Sequence, residues 1–402
     1  MNKYFKLFEE IVLVPNTDGR GALYNLLTGN VYELTKNQAK CLLLLENGST
    51  VDDIIELLPS SFDLDSYLKL LVEESFGYFS STNSFIPKMY HTDSLLKQTS
   101  LKIPPSISKV FIILENNCNQ DCDYCDTKYV RQNACIGCFR QKNEIATKHT
   151  SFEQYLTFLH YMKKIKAQTV YFTGGDLLAK WDDNLPIIKE AVNLGFQHIF
   201  IILGGVGKIS QKIINQLNEL NVHPIYQVIV NEHGLIENHD LIANASQNCY
   251  FCLLYKTHDS NIIIDSANKI NQVYNLKGIF IDRLIKKSDI QHFDFDFLRP
   301  KRTTSVEDFS FSLEYNQCLN GTISLNTNQE IIVCPRLTEL VVGHIDNCYE
   351  CLSEKSAQLY WGLTKDKIKL CRDCHLRYIC GDCRFLEMSF SQDLYSTVNC
   401  IH

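Results

Sequence analysis

Cys118-Asn119-Gln120-Asp121-Cys122-Asp123-Tyr124-Cys125 sets three cysteines in the spacing C-x3-C-x2-C. Just upstream runs Val110-Phe111-Ile112-Ile113-Leu114. An apolar run that short, bounded by polar residues, reads as a buried strand. The cysteines then lie on the loop leaving the strand's C-terminal end, where α/β barrels build their sites. Three thiolates on one loop can hold three irons of a [4Fe–4S] cluster, whose full protein ligation takes four. Half of a zinc site, or three unrelated buried thiols, is the alternative, although zinc sites favour C-x2-C pairs.

With Tyr124 one residue before the third cysteine, the stretch resembles the radical S-adenosylmethionine (SAM) signature. The resemblance implies that the open fourth iron chelates the amino and carboxylate groups of SAM. Reductive cleavage would then give a 5′-deoxyadenosyl radical that abstracts hydrogen from a substrate. The cofactor carries that chemistry, and the protein binds and orients it.

Between 108 and about 290, candidate strands at 110–115, 169–173, 198–203, 224–230, 249–255 and 278–283 alternate with helical patterns such as Phe152 to Ile165 and Lys208 to Leu220. Such alternation predicts a parallel sheet with right-handed crossovers. Six units suit the partial (β/α)6 barrel that the resemblance implies, assigned to 108–300. The second strand ends in Thr173-Gly174-Gly175-Asp176, where two glycines let backbone approach a ligand. The match is to the family's Gly-Gly-Glu motif, which contacts the SAM amino group, with Asp176 replacing Glu. A plain strand-to-helix turn is the alternative there. Gly204-Gly205 closes the third strand and either lines the same pocket or forms a turn.

The chain has 402 residues, 45% hydrophobic and 21% charged, with net charge −7. That is ordinary soluble globular material, long enough for two or three domains. A basic surface suited to nucleic acid is not implied. No apolar run approaches the roughly 18 residues of a membrane span. Met1-Asn2-Lys3-Tyr4-Phe5 has no signal-peptide pattern, so a cytoplasmic location is expected. Seventeen cysteines in such a chain point to metal clusters rather than disulfides.

Residues 1–95 combine short strand signals at Glu10-Ile11-Val12-Leu13-Val14, Gly21 to Leu26 and Val31 to Leu34 with three helices. Thr35 and Gln38 form a capping box before the first helix, Gly48 stops it, and Thr50 caps a second over Val51 to Leu58. A third spans Leu64 to Glu73. This is a winged-helix pattern, and it resembles the precursor-recognition element of peptide-maturation enzymes, the fold of the small PQQ-biosynthesis chaperone. Those modules bind a leader peptide as an added strand at the sheet edge. Packing or dimerisation alone is the competing reading. Residues 81–107, with Pro104-Pro105, read as a linker.

Residues 318–400 carry nine cysteines. The centre is Cys371-Arg372-Asp373-Cys374-His375-Leu376-Arg377-Tyr378-Ile379-Cys380-Gly381-Asp382-Cys383, with Cys318 and Cys334 upstream and Cys400 near the end. The array resembles the SPASM domain, the auxiliary-cluster domain of radical-SAM peptide maturases, here assigned to 310–402. It departs from that pattern in its last spacing, x2 for x3, and in Asn328-Gln329 where a glycine is usual. Thr364-Lys365-Asp366-Lys367-Ile368 and Arg377-Tyr378-Ile379-Cys380-Gly381-Asp382-Cys383-Arg384 look closest to the maturase of grasp-with-spasm peptide systems. Zinc-ribbon knuckles are the alternative.

The SPASM resemblance implies an interleaved division of ligands. Cys371, Cys374, Cys380 and Cys400 would hold one auxiliary [4Fe–4S] cluster. Cys318, Cys334 and Cys383 would hold the other, with Cys348 or Cys351 as fourth ligand or an open position. Cys135/Cys138 and Cys348/Cys351 could instead complete a cluster, make a zinc site or remain free thiols. Cys41, Cys249 and Cys252 read as core residues. His375 reads as solvent-facing or structural rather than a ligand.

The expected protein is a radical-SAM maturase that modifies, by crosslinking, a ribosomally made precursor peptide. Cys118, Cys122 and Cys125 would hold the SAM cluster, beside Tyr124, while Gly174, Gly175 and Asp176 would seat the methionine end of SAM. The resemblance further implies a leader-bearing precursor, an ATP-grasp enzyme of the same system and a flavodoxin or ferredoxin donor as partners. The rivals are a sulfatase-maturase-like enzyme oxidising a cysteine or serine, and a non-catalytic iron–sulfur scaffold that binds the precursor. No catalytic acid is assigned, and Asp176, Asp282 and Glu314 stand equal as candidates.

Overall fold

A computed structural model of the chain describes residues 3–90, 106–116, 118, 120, 122, 124, 125, 129–131, 133–138, 150–205, 207–243, 245, 248–286, 303–353, 356–397 and 400. The linker prolines, Asn119, Asp121, Asp123 and the expected domain edges at 95 and 300 lie outside them. Two compact units emerge, each built from separated stretches of chain. One comprises 1–98, 295–318 and 362–402; the other comprises 99–294 and 319–361.

In the first unit, β1 (Tyr4–Leu7) pairs antiparallel with β5 (Gly77–Ser80). A second small sheet runs β2 (Ile11–Pro15), β3 (Gly21–Asn25), β4 (Val31–Leu34), all antiparallel. The expected helices form at Lys36–Glu46, Val51–Ile55 and Leu64–Glu73. Thr35 and Thr50 each make a capping box, satisfying amides that the first turn leaves orphaned. Cys41, Leu42, Leu45, Tyr67, Leu68 and Leu71 close a core over Phe5, Leu7 and Leu23.

The other face of the β2–β3–β4 sheet is not left to solvent. Val12, Val14, Ala22 and Tyr24 pack with Phe309, Leu376, Tyr378 and Ile379 in one buried cluster. The Tyr24 hydroxyl donates to the His375 carbonyl at 2.7 Å. The chain's first ninety residues and its last forty thus share a core.

In the second unit the sheet has ten strands in the order β15-β14-β13-β6-β8-β9-β10-β11-β12-β7. Its centre is six parallel strands: β6 (Lys109–Glu115), β8 (Thr169–Gly174), β9 (His198–Leu203), β10 (His223–Val230), β11 (Tyr250–Tyr255) and β12 (Gly278–Lys286). These are the six strands predicted from the alternating pattern. In β6 every residue after Lys109 is buried, as befits a parallel strand covered on both faces.

The helix Phe152–Lys164 buries Tyr155, Phe158, Leu159 and Met162, a stripe at helical spacing begun by the Ser151–Gln154 capping box. Helices Trp181–Asn193, Gln211–Glu219 and Ser260–Tyr274 serve three of the other four crossovers, and the short His239–Ile242 lies in the remaining one. Four strands extend the sheet beyond expectation. β7 (Tyr129–Arg131) pairs antiparallel with β12. β13 (Thr322–Leu325) pairs parallel with β6, and β14 (Glu330–Ile332) and β15 (Val341–His344) follow antiparallel. Part of the segment after 310 is therefore built into the main sheet. Among the described residues, no helix is long and apolar enough to cross a membrane.

Candidate functional site

The loop after β6 carries Cys118, Cys122 and Cys125 to the C-terminal edge of the parallel sheet. Cys118, Cys122, Cys125, Gln120 and Tyr124 line one small recess, together with Gly175 and Cys138. Thiolates are the donors that iron–sulfur clusters take, and three of them on one loop around one recess fit that group. Burial pushes the Cys122 thiol up to about 11, with the neighbouring Cys118 and Cys125 adding to the rise and a hydrogen bond with Tyr124 opposing it. Tyr124 is buried, and its phenol oxygen accepts the Gly205 amide at 2.7 Å. Burial first, then the Cys138 and Cys122 thiols, push that phenol's pKa far upward. Of the Gly204-Gly205 pair, Gly205 therefore bonds the cysteine loop.

Gly174 has φ +148°, and a Cβ there would collide with the Glu115 carbonyl oxygen. The close approach lets Gly175 donate its amide to that oxygen at 2.7 Å. Asp176 is buried and committed. It accepts from Gln120 Nε2 at 2.9 Å and from the amides of Leu178 and Ala179 at 3.1 and 3.3 Å. Its carboxylate ties the cysteine loop to the turn before the helix Trp181–Asn193. Replacing Glu by the shorter Asp suits that local capping geometry. Lys180 lies 2.6 Å from Glu115, across the same turn.

A part of the site that sequence reasoning left undecided is the segment 129–138. It is held at three strands of the parallel sheet. Arg131 pairs with the fully buried Asp282 of β12 at 2.9 Å, and Asn133 donates its amide to Asp282 at 3.0 Å. Gln227 of β10 donates to the Ile136 carbonyl at 3.0 Å, and Thr173 of β8 donates to the Gly137 carbonyl at 3.2 Å. Asp282 thereby acts as an anchor for Arg131. Burial, partly offset by Arg131, pushes the Cys138 thiol up to about 12, with Cys122, Cys118 and Cys125 as further neighbours. Cys135 acts electrostatically on Cys334 and Cys252. Gln120 and Cys138 carried no sequence signal strong enough to place them at the recess.

The C-terminal thiols gather separately, in the first unit. Cys371, Cys374, Cys380 and Cys400 are electrostatic neighbours of one another. Burial pushes Cys371 up to about 11 and Cys380 up to about 12. A charged frame surrounds them. Asp382 contacts Arg384 at 2.5 Å and Lys365 at 3.4 Å, and accepts from Asn316 at 2.6 Å. Burial opposes ionisation of Asp382, but Lys365 and Arg384 outweigh it and lower its pKa. Arg384 also donates to the carbonyls of Leu394 and Ser396, and Thr397 donates to Glu387 at 2.7 Å. These bonds hold the tail that carries Cys400.

His375 is buried rather than solvent-facing, between Asn16 at 3.1 Å and Glu33 at 3.2 Å. It is structural. Cys318 and Cys383 belong to the first unit, and Cys334 to the second. Cys348 and Cys351 are both buried, Cys351 against Gly343 of β15, with the Cys351 thiol 3.2 Å from the Cys348 carbonyl. The groups acting on Cys348 are Cys351 and Glu350, not Cys135 or Cys138. Cys41, Cys249 and Cys252 are core residues, as expected. Among the described residues, no three His, Cys, Asp or Glu side chains stand ready to hold a single metal ion.

No protein-family model matches the chain, and no curated protein matches it. Similar solved structures include Streptococcus suis SuiB bound to S-adenosylmethionine, at 13% identity and TM-score 0.47, covering 99% of this chain and 100% of that one. Another is native anSMEcpe with bound AdoMet, at 13% identity and TM-score 0.48, covering 73% of this chain and 93% of that one. Likeness at that level says nothing of activity, which lives in the site rather than the fold.

Proposed function

We propose that this chain is a radical-SAM maturase of a ribosomally made peptide. The observation that carries the reading is the recess in which Cys118, Cys122, Cys125 and the backbone of Gly175 converge at the C-terminal edge of a parallel sheet. When bound there, a [4Fe–4S] cluster with SAM supplies a 5′-deoxyadenosyl radical. Cys118, Cys122 and Cys125 hold the cluster. Gly174 and Gly175 seat the methionine end of SAM through backbone, and Asp176 braces that turn through Gln120. Tyr124 locks the loop to Gly205.

The finer reading follows the sequence. Residues 1–95 form a PqqD-like leader-binding domain, 108–300 the partial barrel and 310–402 the SPASM domain. A precursor leader would add to an edge of the β2–β3–β4 sheet through main-chain hydrogen bonds. Cys371, Cys374, Cys380 and Cys400 hold one auxiliary cluster, a division supported by their mutual proximity. Cys318, Cys334 and Cys383 would hold the other, with Cys348 or Cys351 as fourth ligand or an open position. The product is a crosslinked peptide, in a cytoplasmic grasp-with-spasm system with an ATP-grasp partner and a flavodoxin or ferredoxin donor.

The test is spectroscopic. In the anaerobically reconstituted, reduced protein, adding SAM should shift the electron paramagnetic resonance signal of one cluster. That cluster should be missing from Cys122→Ala. A wild-type signal indifferent to SAM would overturn the reading.

A further inference from the structure

Cys138 lies on a different segment from the C-x3-C-x2-C loop, yet it lines the same recess as Cys118, Cys122 and Cys125. Its position is enforced. The residues just before it, Ile136 and Gly137, are fixed by the Gln227 and Thr173 hydrogen bonds, and Arg131 and Asn133 are fixed on Asp282. The third strand ends in a glycine where the sulfur comes to rest. A Cβ on Gly204 would stand 2.6 Å from Cys138 Sγ and 3.0 Å from the Tyr124 oxygen. Beside the same glycine lies Gln227, fully buried, whose Oε1 has no hydrogen-bond partner among the described residues.

Four thiols around one recess are a complete protein ligand set for a [4Fe–4S] cluster. We propose that Cys138 caps the fourth iron before SAM arrives and is displaced when SAM binds. This rests on the reading of Cys118, Cys122 and Cys125 as the other three ligands. The exchange balances without redox change. The iron–sulfur bond to Cys138 breaks, and the amino nitrogen of SAM binds iron as its ammonium loses a proton. The released thiolate takes up that proton.

The cap protects the cluster from losing an iron while no SAM is present, and SAM must compete with it. The apparent affinity for a ligand falls by the fraction of protein in the competent state. If the capped form holds about nine molecules in ten, Cys138→Ala should bind SAM about tenfold more tightly.

The experiment uses the full chain with all clusters reconstituted. A triple Ala variant of Cys118, Cys122 and Cys125 gives the auxiliary-cluster baseline. Before SAM is added, mild oxidation with ferricyanide should leave the wild-type SAM-site cluster with four irons. In Cys138→Ala it should convert to the three-iron form, and SAM should bind more tightly by calorimetry. Cys138→Ser, which keeps a weaker ligand, should fall between. Equal iron loss and equal SAM affinity in all three proteins would overturn the cap. A wild type with no SAM-responsive cluster above the triple-variant baseline would instead overturn the radical-SAM reading.

Discussion

The two cysteine centres of this protein are built in opposite ways. At the sheet edge the thiols line a recess in which backbone groups, the Glu115 carbonyl and the Gly175 and Gly205 amides, stand closest, while the Arg131–Asp282 ion pair braces the segment behind. In the C-terminal array the thiols sit inside a frame of charged side chains, Lys365, Asp382 and Arg384, with the tail bonded down by Arg384. Backbone supports leave room for a small molecule to approach. A frame of ion pairs fixes position. The first design suits a site that exchanges a ligand, and the second suits a centre held in place, a distinction like the one between catalytic and structural metal sites.

The sharpest way to break the comparison is to remove ligands on one side. Cys118→Ala, Cys122→Ala or Cys125→Ala should abolish SAM cleavage while the C-terminal iron persists. Wild-type-level cleavage in any of the three would end the distinction. On the other side, Cys400→Ala should lose or labilise one auxiliary cluster, read as iron content and visible spectrum, and leave the SAM-site cluster intact. Unchanged iron would reject the grouping of Cys400 with Cys371, Cys374 and Cys380.

A smaller effect probes the anchor of the 129–138 segment. Arg131→Met leaves Asp282 as an unpaired buried charge and should cost about 3–5 kcal/mol of stability in chemical denaturation. The double variant Arg131→Met with Asp282→Leu should recover much of that loss, because it removes both charges. A full cost in the double variant would assign the effect to packing instead.

The smallest effect concerns a thiol outside both centres. Burial pushes Cys41 up to about 12. A raised thiol pKa in the folded state means that the unfolded chain releases its proton first. Cys41 therefore contributes fully below the unfolded pKa near 8.5, and its contribution falls as pH climbs from there towards 12, by at most about 1.4 kcal/mol per pH unit. Denaturation midpoints from pH 8 to pH 11 should fall more steeply for wild type than for Cys41→Ala. Parallel curves would contradict the shift.

Much of the sheet unit was legible, because buried parallel strands announce themselves as uniform apolar runs. All six formed where Val110–Leu114 and its counterparts suggested. The strands that were missed, β1, β5, β7, β13, β14 and β15, are only three or four residues long and depend on distant partners. The shared core of the first unit was illegible for a different reason. Nothing local to Tyr24 or Ala22 says that Phe309 and Tyr378 will cover them, since tertiary contact rather than periodicity decides it. Removing residues 1–95 would therefore also strip one wall from the C-terminal array, so point changes separate the two roles more cleanly than truncation. At the recess, the spacing of Cys118, Cys122 and Cys125 was enough to group the three thiols that line it. Cys138 needed the fold, because twelve residues, β7 among them, separate it from Cys125.

The most direct test of the central claim is chemical. The fully reconstituted wild-type protein, reduced anaerobically with dithionite in the presence of SAM, should form 5′-deoxyadenosine and methionine in equal amounts. A protein that carries its full complement of iron and yields neither product would contradict the account.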